Sequence, residues 1–313
     1  MLKYSLKRLA RSLLTLVILI TIIIGLLQLM PIEGYFNNYE KMSPALIESG
    51  LREMGLKDPL YVQVGRYLKN LLQGDLGVSR RYRVNAPITD IIMPKMAVSM
   101  KVGLISMAVS LPLGMALGAL MARSKGRFAD KLGNAYIVFI QAVPNAGYFI
   151  FIQLYGSSWF NLSVLYKPED WTSLILPVIS LALPSISSYA MWLRRYMVDE
   201  TNKDYIKLAR AKGLTDKQIM VKHVLRNAFA PMAQNLPSSI IFTISGSLYI
   251  ESLYSIPGTG GLLVKAIQAQ DNPLVQMLVM FYALLSVVGM LLGDLAMMAC
   301  DPRITFTKKG GSR

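Results

Sequence analysis

The chain has 313 residues, of which 53% are hydrophobic and 16% are charged, and its formal net charge is +15. Its single cysteine, Cys300, excludes an internal disulfide framework, and its single histidine leaves no Cys/His cluster for a metal site. The apolar residues gather in blocks of roughly 20, the length that crosses a bilayer. The sequence therefore excludes an ordinary soluble domain and predicts an all-α, polytopic membrane protein.

Six apolar blocks follow one another along the chain. We expect membrane spans at about 9–30, 96–122, 132–155, 171–193, 228–250 and 273–300. The first block follows basic residues, as a secretory signal would, but its apolar run is longer than a signal core and no small-x-small cleavage site follows it. We therefore expect a retained first span, and an even number of spans places both termini on one side.

The basic residues indicate which side this is. The excess positive charge lies in the N-terminal segment, in 123–131, in 194–226 and in the tail 301–313, whereas the charges of the opposite side balance. The positive-inside tendency assigns the basic side and both termini to the cytoplasm. Nucleic-acid binding explains this charge poorly, because every inner segment shares it and each is tethered to a span.

The segment 31–94 between the first two spans is too polar to cross a membrane and too long to be a simple turn. It contains helix-like stretches at Ser43–Met54, where Pro44 suits a first helical turn, and at Tyr61–Leu72. We expect an extracytoplasmic segment that is followed by a membrane core over 95–300.

Polar groups and helix breakers occur inside the spans. Gly114 and Gly118 have the small-xxx-small spacing that lets membrane helices approach closely. The third and fourth spans contain three prolines and three amides at membrane depth: Pro144, Pro177, Pro184, Gln141, Asn145 and Gln153. The amides either line a translocation path or form hydrogen bonds between helices, and the sequence leaves both alternatives open.

Asp294 is the one carboxylate deep within a span. As a proton relay it would indicate a proton-coupled carrier. A relay usually needs a partner within the membrane, and none is evident in the sequence. We therefore expect Asp294 to reach towards the inner interface or to pair with an inner basic group.

The inner loop 194–228 has the features of a docking element. Gly213 can adopt the left-handed conformation that ends a helix, and Thr215 with Gln218 forms a capping-box pattern that opens the next helix. A helical periodicity would then place four apolar residues on one face, where they could press into a soluble partner: Val221, Val224, Leu225 and Ala228. His223 lies in the same element, where we expect a structural contact, and no hydrolytic or redox constellation is present in the chain.

Two motifs in this loop, Tyr-x-x-x-Ala-Arg-Ala-Lys-Gly at 205–213 and His-x-x-Arg-Asn-Ala at 223–228, resemble a known family. They are similar to the EAA loop of the membrane permeases of bacterial ABC importers for peptides and nickel. In that family the loop forms coupling helices that sit in a groove of a separate ATPase subunit. The resemblance assigns ATPase coupling to Asp204, Tyr205, Ala209, Arg210, Ala211, Lys212, Gly213, His223, Arg226 and Asn227.

Further motifs extend the resemblance along the chain. A Ser-Ile-Pro-Gly-x-Gly turn before the last span is a second hallmark, carried by Ser255, Pro257, Gly258, Gly260 and the following Asp271. Its glycines do not form a phosphate loop, because no Gly-Lys-Ser/Thr closes the motif and the segment lies on the outer side. A third hallmark is Asp301-Pro-Arg-Ile304, and stretches of 58–77 resemble the outer segment of the first of two paired permeases. Pro31-Ile-Glu-Gly34 departs from the usual Pro-Gly-Asp-Pro end of the first span.

The resemblance implies a type I ABC importer permease in a bacterial cell membrane, with half of a peptide pathway and no ATPase site of its own. It implies no cofactor in this chain, with ATP and Mg held by partners. Those partners are a second permease, two ATPase subunits, an outer substrate-binding protein and the lipid bilayer. The outer segment would either stiffen the bundle or receive substrate from the binding protein. Nickel chelates or oligosaccharides are alternative cargoes, and a proton-coupled carrier is an alternative mechanism.

Overall fold

The computed structural model describes residues 2–300, with the side chains of residues 9–26, 28–243 and 246–297. Over that range the chain is helical, as predicted, with one isolated bridge between Val78 and Pro87. The α-helices are α1 (Leu2–Leu27), α2 (Pro44–Glu53), α3 (Leu60–Leu72), α4 (Ile88–Arg123), α5 (Phe128–Ala142), α6 (Asn145–Phe160), α7 (Ile175–Thr201), α8 (Asp204–Ala211), α9 (Asp216–Gln218), α10 (Arg226–Ser245), α11 (Leu248–Leu253), α12 (Thr259–Gln268) and α13 (Asn272–Cys300). The predicted helices of the outer segment are confirmed as α2 and α3, and Pro44 opens α2 behind the Ser43 cap.

Four helical stretches in the described residues are long and apolar enough to cross a membrane: Leu9–Leu26, Ile88–Arg123, Trp171–Thr201 and Asn272–Met297. Helices α5 and α6 together form a fifth candidate. The predicted block 228–250 does not reach this level of length and hydropathy. Its helix α10 contains Pro231 and Pro237 and ends at Ser245, and Gly246 at φ +69° separates it from α11. The number of six spans therefore stays a prediction.

The predicted third span is not one continuous helix. Helices α5 and α6 meet at a bend of 101°, and the break falls at Val143 and Pro144. Proline lacks the N–H that would continue the hydrogen-bond ladder, and it disfavours helical conformation at the residue before it. Val143 accordingly has the extended angles φ −82° and ψ 129°. The segment is a broken span or a re-entrant pair.

The described chain divides into two compact units. Within the described residues, the first is formed by 2–102 and 241–288, and the second by 103–240 and 289–300. In the first unit the start of α4 packs against α12 and the start of α13 through a buried apolar cluster of Ile88, Ile91, Ile92, Leu262, Ala266, Leu274, Val275, Met277 and Leu278. A second buried cluster joins α1, α3 and α13 through Ile20, Ile24, Val64 and Met280.

In the second unit, α4 packs closely against α7. A Cβ atom at Gly114 would lie 2.7 Å from the Cβ of Tyr189, and one at Gly118 would lie 2.7 Å from the carbonyl oxygen of Ala190. The two helices can approach closely here because glycine has no side chain. The close approach predicted at these glycines is therefore confirmed. Helix α5 is joined to α7 by Asp130 and Arg194, whose Nη2 donates to Oδ2 at 2.8 Å while Nε donates to Oδ1 at 2.5 Å. Such two-point pairs fix orientation as well as distance.

Candidate functional site

Helix α8 begins directly after α7 and has an amphipathic pattern. Asp204 lies in its first turn and Arg210 in its last, where each charge complements the helix dipole. Ile206 and Ala209, three residues apart, face inward and are 1% and 6% exposed. They belong to a buried cluster with residues of α7 and of the helical segment that follows α8. One face of α8 is thus fixed to the chain and the other is left exposed.

The turn after α8 has the predicted geometry. Gly213 adopts φ +81°, and a Cβ atom built on it would meet no other atom within 4 Å. The N–H of Gly213 donates to the carbonyl of Arg210 at 2.9 Å, which closes the end of α8. Thr215 and Gln218 form a full capping box, with the Thr215 N–H donating to Oε1 of Gln218 at 3.0 Å. Both predictions are confirmed.

The prediction that the next helix places its apolar residues on one face is wrong. Residues Ile219–Leu225 form a π-helical segment, which has more residues per turn than an α-helix and shifts the register of the side chains. Val224 and Ala228 are 0% and 2% exposed and pack in the chain's own buried cluster, whereas Val221 is 55% exposed. These residues do not form one ridge for a partner. The exposed apolar side chains of the loop are Val221 and Leu208, the latter 57% exposed.

A polar network joins the two sides of the loop to the end of α7. The Tyr205 hydroxyl donates to Oε1 of Glu200 and accepts from Nδ2 of Asn227 at 2.8 Å. The ring of His223 lies 6.5 Å from that of Tyr205, centroid to centroid, which is the structural contact expected for this histidine. Burial, followed by the hydrogen bond to Glu200, raises the pKa of Tyr205 to about 12. The hydroxyl thus keeps its proton, and its place in the network, at neutral pH.

Sequence reasoning missed Glu200, the acceptor at the centre of this network. It precedes the recognised motif by five residues, and its side chain reaches Tyr205 only because the chain turns at Asn202 and Lys203. A carboxylate close before a tyrosine is too common a pattern to have indicated this bond.

Most of the residues assigned to ATPase coupling lie on the exposed surface of this loop. Those exposed are Asp204, Arg210, Ala211, Lys212, Gly213, Arg226 and Asn227, while Tyr205 and His223 are half-buried and Ala209 is buried. The ion pairs at this surface, Lys207 with Asp204 at 2.8 Å and Arg210 with Asp216 at 3.8 Å, are exposed and contribute little stability. The loop thus presents an exposed, charged face, and its role in docking stays a prediction. Within the described residues, no group of three or more His, Cys, Asp and Glu could hold a metal ion.

The outer turn is built around a buried carboxylate that the sequence analysis did not single out. Glu251 is 4% exposed; its Oε1 accepts from the Ser99 hydroxyl at 2.6 Å and its Oε2 from the Gly261 N–H at 3.0 Å. Because the glycines of the motif have no side chains, the Glu251 side chain and the backbone at Leu248 can approach them closely. A Cβ atom at Gly258 would lie 2.3 Å from Cδ of Glu251, and one at Gly260 would lie 2.7 Å from the Leu248 nitrogen. Ser255 and Pro257 lie on the rim of the same turn.

Asp271 anchors the outer segment. It is fully buried, and its Oδ2 accepts from the Ser79 hydroxyl at 2.5 Å and from the N–H groups of Arg80, Arg81 and Tyr82 at 2.9–3.0 Å. Its Oδ1 accepts from the Leu274 N–H at 3.2 Å, at the start of α13. Asp271 therefore has a structural role, because its hydrogen bonds join residues 79–82 to the last helix.

The three amides predicted at membrane depth have different environments. Gln141 and Asn145 are exposed at the break between α5 and α6; Nε2 of Gln141 lies 3.5 Å from the Met191 sulfur, and Oδ1 of Asn145 accepts from Tyr148 at 3.0 Å. Gln153 is 6% exposed and donates to the Val164 carbonyl at 3.1 Å. Gln153 is therefore held by a hydrogen bond within the chain. A translocation path lined by Gln141 and Asn145 stays a prediction.

Asp294 is 7% exposed and its Oδ1 accepts from Nε2 of Gln234 at 3.1 Å. Gln234, on α10, was not singled out from the sequence. The preceding Gly293 allows the approach, because a Cβ atom there would lie 2.2 Å from the Gln234 carbonyl oxygen. The aspartate therefore binds α13 to α10. The Asp301–Ile304 motif and the tail 301–313 lie outside the described residues.

The sequence was also compared with known proteins. Residues 114–306 match the family described as binding-protein-dependent transport system inner membrane component. The chain is 32% identical to the dipeptide transport system permease protein DppB of Lactococcus lactis over 97% of this chain and 99% of that protein, and 30% identical to DppB of Bacillus subtilis over 99% and 100%. It is 36% identical to the oligopeptide transport system permease protein AmiC of Streptococcus pneumoniae over 70% of this chain, which corresponds to 44% of AmiC.

Proposed function

Because the chain belongs to the family of binding-protein-dependent transport system inner membrane components, we propose that it forms half of a translocation pathway for peptides in an ATP-driven importer. The family resemblance is confirmed, and the chain is a multi-pass inner membrane protein. The peptide cargo rests on the printed names of the relatives, which are oligopeptide and dipeptide permeases. Nickel chelates and oligosaccharides are the alternative cargoes.

The observation that supports this proposal is the exposed, charged face of the inner loop. Helix α8 and the Gly213 turn present exposed charges outward, while Ile206 and Ala209 fix the inner face to the chain. Any force on the exposed face is therefore passed to α7 and α10, the two helices that flank the loop. A loop that was itself loosely attached would not transmit motion.

The proposed mechanism is alternating access. Closure of two ATPase subunits around ATP would displace this loop and the matching loop of a second permease, and the motion would open the pathway outward to accept a peptide from a binding protein. Hydrolysis would reset the pathway inward. Such coupling requires that the loop interact differently with the two states of the ATPase. In this scheme the ATPase partners hold ATP and Mg, and this chain contributes no catalytic residue.

The test is the variant Gly213→Val in an importer reconstituted with its partners. A β-branched residue at φ +81° places strain of roughly 1–3 kcal/mol on the loop, so we expect peptide uptake to fall about tenfold while ATP hydrolysis persists. Gly74→Val is the matched control, because Gly74 also has a positive φ, +74°, and open space around it, but lies in the outer segment.

Uptake and hydrolysis are measured in the same vesicles, and assembly with the partners is verified for each variant. Normal coupled uptake by Gly213→Val, or an equal loss of coupling in Gly74→Val, would contradict the docking role of this loop. The ligand that stimulates ATP hydrolysis by the wild-type assembly identifies the cargo.

A further inference from the structure

A cavity of about 300 Å³ lies in the first unit beside the outer turn. It is bordered by the end of α11, the start of α12 and the first turns of α4, and its polar lining includes Lys95, Lys265, Ser252, Ser255 and Gln268. None of these side chains has a role in the inner docking surface. The volume is at the lower end of the range for ligand sites, enough for one end of an extended molecule.

Helix packing brings the two lysines to the same cavity. Ile91 and Ile92 of α4 and Leu262 of α12 are buried in one apolar cluster. Lys95 follows the two isoleucines by one helical turn, and Lys265 follows Leu262 by one turn, so each lysine lies on the same side of its helix as the buried contact. The buried cluster between α4 and α12 thus holds the two lysines near each other.

The two lysines outnumber the one carboxylate at the cavity. Neither Lys95 nor Lys265 is in an ion pair with any residue that the structure describes. Lys265 and Arg83 act on Lys95 as like charges, and Glu251 acts on it as an opposite charge. Glu251 is the one carboxylate among the cavity's described lining residues. Its two oxygens accept from Ser99 and from the start of α12, and it forms no ion pair with either lysine among the described residues.

The backbone at the cavity is also constrained. Ser255 adopts φ +54°, a conformation that costs a non-glycine residue roughly 1–3 kcal/mol. Its N–H donates to the Ser252 carbonyl at 3.4 Å, at the end of α11. Ser255 lines the cavity, and its hydroxyl gives the rim a hydrogen-bond donor that a glycine would lack.

We propose that this cavity binds the C-terminal carboxylate of a peptide, with Lys95 and Lys265 as the cationic partners and Ser255 and Gln268 as additional hydrogen-bond donors. This inference rests on the proposed function and on the proposed outward orientation of the turn. A peptide α-carboxylate supplies the missing negative charge, and a charged hydrogen-bonded pair is stronger than a neutral one. The opposite end of a peptide, an ammonium group, would be repelled by the same cations.

The test compares uptake of a peptide with uptake of its C-terminal amide by the reconstituted importer. For each peptide, the rate of the variants Lys95→Gln and Lys265→Gln is divided by the wild-type rate. Selection by the binding protein cancels in this ratio, because the same binding protein serves every permease variant. We expect uptake of the acid to fall about tenfold and uptake of the amide to change less than about twofold.

Two further variants separate charge from folding. Lys95→Arg keeps the cation and should retain most of the uptake of the acid. Lys101→Gln removes a lysine from the same helix at a site that does not line the cavity, and should behave as wild type. An equal fall for acid and amide, or no fall for either, would overturn the proposal. An anionic lipid headgroup as the true occupant would leave the acid-to-amide ratio unchanged, and that result would overturn the proposal as well.

If the wild-type importer moved neither peptide, the proposed function itself would fail. If it moved both and the lysine variants left the acid-to-amide ratio unchanged, only the carboxylate site would fail. The two failures are therefore distinguished by the wild-type rate alone.

Discussion

At the scale of single residues, the positions of the inner loop and the outer segment depend on polar side chains that hydrogen-bond within the chain. Tyr205 joins Glu200 on one side of the inner loop to Asn227 on the other. Asp271 does the same for the outer segment through four donors on one oxygen. A buried polar group that loses a partner keeps its desolvation cost, so the Asp271 network stabilises the outer segment more than an exposed ion pair would.

Tyr205→Phe should loosen the inner loop without removing the ring that contacts His223. The loss of the hydroxyl leaves Glu200 and Asn227 without their shared partner, and we expect a cost of about 1–2 kcal/mol. Hydrogen exchange of residues 204–213 would rise accordingly. Tyr189→Phe is the matched control, because Tyr189 packs against the same buried cluster and no hydrogen bond of its hydroxyl is found among the described residues.

The ratio of the hydrogen-exchange rates of residues 204–213 in Tyr205→Phe and in wild type should not change with pH across the neutral range. The folded-state pKa of Tyr205 is raised to about 12 by burial, so its contribution to stability is fully present below the ordinary tyrosine pKa of about 10 and is lost only as pH rises towards 12. Amide exchange is itself base-catalysed, so the two rates are compared at each pH. A ratio of variant to wild-type rate that titrates between about pH 6 and pH 9 would show that a different group controls the loop.

Asp271→Asn should release residues 79–82 from α13. An amide keeps one acceptor oxygen but loses the negative charge that holds four donors, and we expect the outer segment to be destabilised by about 3 kcal/mol. Limited proteolysis of the outer segment measures the release. Asp75→Asn is the control, since the exposed Asp75 accepts only from the Gly77 N–H, at 2.9 Å, in the structure as described. Equal protease resistance of Asp271→Asn and wild type would disprove the anchoring role.

At the scale of helices, α4 and α7 make a close contact in the second unit at Gly118. Gly118→Ala should destabilise this pair by about 1–3 kcal/mol, because the new Cβ would lie 2.7 Å from the Ala190 carbonyl oxygen and 3.1 Å from the Cβ of Leu193. Gly147→Ala in α6 is the control, because no atom lies within 4 Å of a Cβ there. Thermal unfolding in mild detergent should separate the two variants, and a Gly118→Ala protein as stable as Gly147→Ala would contradict this packing.

Sequence patterns predicted those features of the elements that depend on local chemistry. The capping box at Thr215, the left-handed Gly213 and the close approach at Gly118 each follow from one or two residues, and each is confirmed. The same small-xxx-small spacing at Gly289 and Gly293 was overlooked, although a Cβ atom at either position would meet α10 within about 3 Å. That signal was present in the sequence and could have been used.

Other features depend on contacts far along the chain and could not be read from the sequence. The π-helical segment moves Val224 inward and Val221 outward, and no local pattern indicates this change of register. The glutamate at the outer turn, Glu251, is recognised as a site only when Ser99 approaches it from 152 residues away. The 101° bend within the block 132–155 is different: hydropathy did not indicate it, but Pro144 is a local signal for a helix break.

At the scale of the whole molecule, the distribution of charge determines the orientation that we propose. The net charge of +15 falls on the inner segments, and moving such segments across a membrane is costly. This orientation places the Gly213 loop in the cytoplasm, within reach of an ATPase, and places Asp271 and the lysine-lined cavity outside. Both the coupling role and the carboxylate site require it, so it should be tested independently of transport.

Single-cysteine labelling provides that test, because Cys300 is the only cysteine of the chain and Cys300→Ser removes it. In this background Ser49→Cys places a thiol on exposed α2 and Lys217→Cys places one on the exposed inner loop. A membrane-impermeant maleimide should label Ser49→Cys in intact spheroplasts and should label Lys217→Cys only after permeabilisation. Labelling of Lys217→Cys from outside would place the loop beyond the reach of any cytoplasmic ATPase, and the proposed coupling would then be impossible whatever the family of the chain.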